Sequence, residues 1–170
     1  MNVTDDKVLF WGSIFSNFAY TPYEAPDGKR FHCSEQEFMY RKACLFDDYN
    51  IANRIMQQRD PANCKMLGRQ VKGFNQKVWD EVCYDVMYNA CRNKFTYSKK
   101  AYEALMSYPG KIFVEASPED RIWGIGLAEY DRRALDESKW RGKNLLGKVL
   151  TQIRDEIQSG EIPVDVANLY

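Results

Sequence analysis

Histidine is nearly missing from this sequence: His32 is the only one among 170 residues. A triad built on imidazole, or a zinc site of the usual His and Cys composition, has too few ligands to form. The five cysteines, at 33, 44, 64, 83 and 91, are odd in number and show no Cys-x-x-Cys spacing. That argues against a disulfide framework or a Cys-only metal site and fits the reduced thiols of a cytoplasmic protein. No run of about 18 apolar residues is present, so no membrane helix is expected. Met1-Asn2-Val3-Thr4-Asp5-Asp6-Lys7 lacks the charged-then-apolar order of a secretion signal. Net charge is absent too, with 24 basic and 24 acidic residues. Strong non-specific attraction to nucleic acid or an anionic membrane is therefore not expected, while a local basic groove stays compatible with the neutral total. Internal repeats, low-complexity segments and Walker or Rossmann patterns are also missing.

At this length one domain spanning 1–170 with a real core is expected, the core about 9–157 and a tail at 160–170. Helical patterning dominates. Ser34 to Phe46 reads as a helix opened by a Ser34/Glu37 capping box. Asp48 to Arg59 reads as a second helix, stopped by Asp60-Pro61, with a short one over 62–68. Gln76 to Asn93 carries Trp79, Cys83, Val86, Met87 and Ala90 on one stripe. Ser98 to Tyr108 ends at Pro109-Gly110, and Asn144 to Ser159 buries Leu146, Val149, Leu150, Ile153 and Ile157. Lys7 to Trp11 reads as a strand, Lys111 to Glu115 as the central strand, and Pro26-Asp27-Gly28 as the turn of a hairpin or ordered loop over 20–32. The fold class is α+β, a mainly helical domain around a small β-sheet.

Four segments concentrate residues capable of chemistry. In the first, Glu115 ends an apolar run, a Ser117-Pro118-Glu119-Asp120 turn follows, and Trp123 stands beside Gly124 and Gly126. Carboxylates supply acid–base capacity or hold sugar hydroxyls, the indole face takes a base, and glycines let backbone approach a ligand. Turn chemistry with Trp123 in the core accounts for the same residues. In the second, Glu35 and Lys42 share one helix face, two turns or roughly 10 Å apart, with Met39 between them. Glu37 is explained by capping, whereas the capping box does not need Glu35. In the third, Phe10-Trp11-Gly12-Ser13-Ile14-Phe15-Ser16-Asn17-Phe18 interleaves aromatics with small polar residues and offers stacking and hydrogen bonding, or a strand end packing its aromatics. In the fourth, Gly142-Lys143-Asn144 precedes the last helix, whose N-terminus either receives a phosphate or is capped by Asn144 in the ordinary way.

Taken in order, these segments resemble the NADAR family, the YbiA-like domains, from about Leu9 to Ile157. The matching pieces are Phe15-Ser16-Asn17-Phe18, Ser34-Glu35 with Lys42-Ala43, and Leu67-Gly68-Arg69 before the Trp79 helix. Lys94-Phe95, Glu115-Ala116-Ser117-Pro118 with Asp120, Trp123 to Leu127, and Gly142-x-Asn144-x-Leu146-Gly147 complete them. Gln36 and Glu37 depart from the pattern, where many members carry His and aromatics. The resemblance implies an N-glycosidase without metal or redox cofactor. Two substrate classes follow from it: ADP-ribose on guanine in DNA or RNA, and ribosylamino-pyrimidine phosphates of riboflavin biosynthesis.

Cleaving a C1′–N bond builds oxocarbenium character, so an acid for the leaving base and a nucleophile for C1′ are required. Glu35 is the candidate acid–base carboxylate. Lys42 is the candidate nucleophile, through an imine that needs its pKa depressed by burial or by a neighbour such as Arg41, or else it orients Glu35 while water attacks. Asp120 and Glu115 are candidates for ribose hydroxyls or water. Ser16, Asn17, Phe18, Ser117, Gly124 and Gly126 are expected at the ligand. Trp123 is expected to line the base pocket, and Trp79 either joins it or belongs to the core. Arg69, Lys94 and Asn144 are the expected phosphate contacts. A non-catalytic ADP-ribose or nucleotide binder is the alternative; it needs Trp123 and the glycines but not Glu35 with Lys42.

Overall fold

The computed structural model describes residues 1–170. Three strands form the main sheet: β1 (Asn2–Val3), β2 (Lys7–Phe10) and, far along the chain, β5 (Ile112–Glu115). β1 pairs antiparallel with β2, and β2 pairs parallel with β5 in the register Lys7 to Ile112 through Phe10 to Glu115. Between β2 and β5 the chain makes a hairpin, β3 (Tyr23–Glu24) and β4 (Arg30–Phe31). It then makes five helices: α1 (Ser34–Leu45), α2 (Tyr49–Met56), α3 (Pro61–Gly68), α4 (Gln76–Tyr97) and α5 (Lys99–Met106); α6 (Leu145–Gln158) follows the sheet. The architecture is the expected α+β, with helices predominating. No helix is long and apolar enough to cross a membrane.

The two-residue period of the strands divides the interior. Val8, Phe10 and Phe113 face the large core among the helices, while Leu9 and Val114 face a smaller one with Ala116, Ile125, Leu127 and Ala134. β5 is apolar because both its faces are covered, yet it is not the central strand that its composition predicts; β2 is, and β5 is an edge. Side chains seal that edge where a fourth strand would lie. Asn144 Nδ2 donates to Phe113 O at 3.0 Å and its Oδ1 accepts from Glu115 N at 2.9 Å, while Thr151 Oγ1 accepts from Phe113 N at 3.0 Å. Gly147 permits this approach, since a Cβ there would overlap Phe113 O and the Asn144 amide.

The helix boundaries differ from the sequence expectation where distant partners intervene. The capping box of α1 does not form. Its N-cap is Cys33, without a side-chain cap; Ser34 Oγ donates to Asn17 Oδ1, and the Glu37 carboxylate accepts from Tyr23 Oη, Asn93 and Arg41 inside the protein. α4 continues to Tyr97 because its last turn, Lys94 to Thr96, is buried. The segment after Gly160, expected as a tail, is tied down: Ile162 joins the large core and Tyr170 exchanges backbone hydrogen bonds with Tyr97 and Lys99.

Removing the Asn144 amide leaves two polar groups of the β5 edge without partners, each costing about 1–3 kcal/mol. Asn144→Ala is therefore expected to lose about 2–5 kcal/mol of unfolding free energy in urea. A loss below about 1 kcal/mol would mean that this side chain does not seal the edge.

Candidate active site

The loops that leave β2 and β5 run to the same end of the sheet, because the two strands are parallel. There they enclose a cavity of about 970 Å³ against α1, α3 and α4. Eleven of the residues singled out from sequence line it: Ser16, Asn17 and Phe18 from the first loop, Glu35 and Lys42 from α1, Arg69 after α3, Trp79 from α4, and Glu115, Ser117, Asp120 and Trp123 from the second loop. Lys94, Gly124, Gly126 and Asn144 stand outside.

Glu35 occupies the first turn of α1 and is 6% exposed. Its backbone N–H donates to Asn17 O at 3.0 Å, so the first loop holds it in place. Burial dominates its ionisation and pushes the carboxyl up to about 7; Lys65, Lys42 and Arg69 oppose the rise and Asp120 adds to it. Glu115, at the end of β5, is pushed up to about 8, by burial first and then by Asp120, with Glu35 adding to the rise. Its Oε2 is buried without a hydrogen-bond partner. Asp120 organises its own loop: its Oδ1 accepts from the backbone of Ile122 and Trp123, both at 2.9 Å, and its N–H donates to Ser117 Oγ at 3.2 Å. Turn and site are the same residues here.

Phe38 stands between the two tryptophans, its centroid 5.3 Å from Trp79 and 5.4 Å from Trp123, forming one aromatic wall. Both indoles also pack on the large core, so the core and pocket readings of Trp79 hold together. Lys42 is half-buried, its Nζ 4.7 Å from the Phe74 centroid and 5.4 Å from that of Trp79. Burial lowers its pKa and Arg69 adds to that effect, against Glu35. Arg41, expected in that part, points elsewhere and pairs with Asp27 at 2.7 Å and Glu37 at 3.1 Å.

Four expectations need correction. Lys94 is fully buried, and its Nζ donates to Ile14 O at 2.7 Å and Ser16 O at 2.9 Å. It anchors the first loop, which in turn holds Glu35, and offers nothing to a phosphate. Asn144 is committed to the β5 edge. The N-terminus of α6 is occupied as well: the N–H groups of Lys143, Asn144, Leu145 and Leu146 donate to the carbonyls of Arg121, Gly124, Ile122 and Trp123. Gly124 and Gly126 serve the protein's own packing. A Cβ on Gly124 would lie 2.9 Å from Asp120 O, and Gly126 takes a φ of 70°. Trp11 of the aromatic first loop and Arg121 and Ile122 of the second loop, to which the sequence assigns no role of their own, also stand on the cavity wall, as does Lys65, which sequence reasoning does not find. For Lys65 a signal exists, because it lies four residues before Arg69 in an expected helix.

Residues 9–158 match the NADAR domain family. The chain is 41% identical to Protein irg-1 of Caenorhabditis elegans, over 91% of this chain and 83% of that protein. It is 39% identical to N-glycosidase R617 of Acanthamoeba polyphaga mimivirus, over 91% and 98% respectively. The NMR structure of the E. coli protein YbiA superposes with a TM-score of 0.74 at 27% identity, covering 94% of this chain and 89% of that one.

Glu35 and Glu115 titrate higher in the native state than in the unfolded chain, near 4.5. From about pH 4.5 to 8 the native state keeps protons that the unfolded chain releases, so stability falls as pH rises through that window. Glu115→Gln removes one of these groups. It is expected to match the wild type near pH 4 and to exceed it by about 2–4 kcal/mol at about pH 8, by urea denaturation. An equal pH slope in both proteins would show that Glu115 is not the group held protonated.

Proposed function

The chain belongs to the NADAR domain family, and we propose that it hydrolyses the C1′–N bond of a ribosylated base or amine, with ADP-ribose on guanine of DNA or RNA as the foremost substrate. One observation carries this reading: the buried Glu35 and the part-buried Glu115, whose carboxyls burial pushes up to about 7 and about 8, face one cavity beside an aromatic wall. The relative named N-glycosidase supports the same bond class. At about 970 Å³ the cavity is at the upper end for small-molecule sites, with room for a nucleotide-sized group.

In this reading Glu35 gives its proton to the departing base nitrogen, which removes the penalty of expelling an anion. Trp123 and Trp79 hold the base, with Phe18 at the opening. Glu115 and Asp120, aided by Ser117, Ser16 and Asn17, hold the ribose hydroxyls; the free Oε2 of Glu115 is an acceptor waiting for such a group. Lys42 attacks C1′ as the neutral amine. The C1′–N bond to the base breaks, the sugar opens to an imine on Nζ, and water then releases the sugar and restores the amine. The lowered pKa of Lys42 favours this route over one in which Lys42 only orients Glu35.

Mass spectrometry of a guanine-ADP-ribosylated oligonucleotide is expected to show loss of a single ADP-ribose with the wild type. Glu35→Gln is expected to slow this by about 10²–10⁴-fold while binding persists; unchanged turnover would remove Glu35 from the mechanism. If the oligonucleotide is untouched, ribosylamino-pyrimidine phosphates are the next substrate to assay, and failure on both leaves a binding module. If water attacks, activity is expected to fall as pH rises above about 7, where Glu35 loses its proton; attack by the neutral Lys42 amine is expected to move the optimum to higher pH, because that amine forms only as pH rises. Borohydride added during turnover is expected to leave a sugar adduct on Lys42, absent in Lys42→Arg. An active enzyme that yields no adduct would assign the attack to water.

A further inference from the structure

Trp11 and Phe18 border the cavity, and Tyr20, 68% exposed, follows two residues beyond Phe18. None of the three packs on a hydrophobic cluster, so the core does not call for them. Single exposed rings are ordinary on a protein surface, but two of these have amines beside them. Lys65 Nζ lies 6.0 Å from the Phe18 centroid and Lys100 Nζ 5.5 Å from that of Tyr20. Lys99 and Lys100 are exposed and open α5, the end at which the helix dipole disfavours cations. Glu103 is spaced to pair with either one, yet neither lysine joins an ion pair. Helix stability therefore does not call for them either. Two residues after Tyr20, Pro22 and Tyr23 line a second cavity of about 220 Å³, with Arg30 and His32 on its wall. Tyr170 lines it too, and its carbonyl accepts from Lys99 N–H at 2.9 Å, so α5 starts beside that cavity. The chain from 18 to 23 covers no more than about 20 Å, and it leads from one opening past Tyr20 to the other.

With the larger cavity read as the site of a ribosylated base, a reading on which this step rests, we infer that the surface formed by Phe18, Tyr20, Lys99 and Lys100 holds an unpaired nucleic-acid strand. The strand continues outward from the nucleotide in the cavity. Bare rings interleaved with free amines match it in both its parts: bases stack on the rings and phosphates meet the amines. Inside a duplex the base faces are covered by their neighbours, so a double strand has nothing to offer Phe18 and Tyr20. A ligand confined to the cavity does not reach Tyr20, Lys99 or Lys100, which stand outside its wall. The neutral total charge does not oppose this contact, because exposed amines act only over about a Debye length. The surface therefore selects a strand over a free nucleotide, and single-stranded over double-stranded nucleic acid.

The test is fluorescence anisotropy with a short unmodified single-stranded DNA, its RNA counterpart, the DNA duplex and a labelled mononucleotide, each titrated with the full chain. Tyr20→Ala and the double variant Lys99→Ala/Lys100→Ala are compared with the wild type, and thermal melts report folding. Tyr130→Ala is the control, because Tyr130 is as exposed as Tyr20 but stands beside β1, its hydroxyl donating to Met1 O. The single strand is expected to bind more tightly than the duplex and the mononucleotide, with the tighter of DNA and RNA naming the strand. Tyr20→Ala is expected to weaken strand binding about tenfold. The lysine variant is expected to flatten the slope of log affinity against log salt by about 1.4, the share of two phosphate contacts on a single strand. A strand that binds no better than the mononucleotide, or equally well to every variant, would overturn the surface. With a guanine-ADP-ribosylated strand, KM is expected to rise in both variants, and by more than for the modified mononucleotide. Turnover of that strand with one KM throughout would sink the surface and leave the glycosidase reading standing. Strand binding that depends on Tyr20 and the lysines, with no turnover of any riboside, would do the reverse.

Discussion

The grip of α6 on the end of β5 is the constraint on which the site depends. One amide, that of Asn144, bonds both the carbonyl of Phe113 and the N–H of Glu115, and the backbone N–H groups of residues 143–146, leading into the helix, take up the carbonyls of 121–124. Helix start and site loop satisfy each other: the helix needs acceptors for its first N–H groups, and the loop needs donors for carbonyls that face inward. Gly147 is the condition for the close approach, and the left-handed φ of 53° at Asn144 sets the turn into the helix. Glu115, Asp120 and Trp123 all hang from this clamp. On the other side, the Lys94 ammonium does the same for the loop of Ser16 to Phe18, and through Asn17 for Glu35.

A second theme is the discomfort of buried charge. Carboxyls on a surface ionise freely, and these two do not, because burial outweighs three nearby cations at Glu35. Glu37, two residues further along the same helix, is also pushed up by burial, and differs in having hydrogen-bond donors that oppose the rise. Tyr23, Asn93 and Arg41 satisfy it, and it serves structure. What separates the two glutamates of one helical turn is the set of donors that meet them: Glu37 is met by Tyr23, Asn93 and Arg41, whereas Glu35 faces the cavity.

Much of this is legible in the residues. Periodicity places every helix and the β2 and β5 segments, and the Glu35–Lys42 spacing anticipates one cavity wall. The failures share a cause: each involves a partner far away in the chain. Nothing local announces that Glu37 meets Tyr23 and Asn93, that Lys94 reaches back to carbonyls at 14 and 16, or that Asn144 replaces a strand. Gly124 and Gly126 do mark places of close approach, and what approaches is the protein's own backbone and side chains. Lys65 belongs to no motif. Only its spacing from Arg69 on one face of α3 marks it, and that spacing gains meaning once the helix is known to border a cavity.

The parallel pairing of β2 with β5 joins segments roughly a hundred residues apart. Contacts of such long sequence separation form late, after the entropy of closing the intervening chain has been overcome. The cavity draws its walls from both sides of that closure and from the helices between. The enclosed cavity therefore depends on a closure between distant parts of the chain, and no local segment can form it alone.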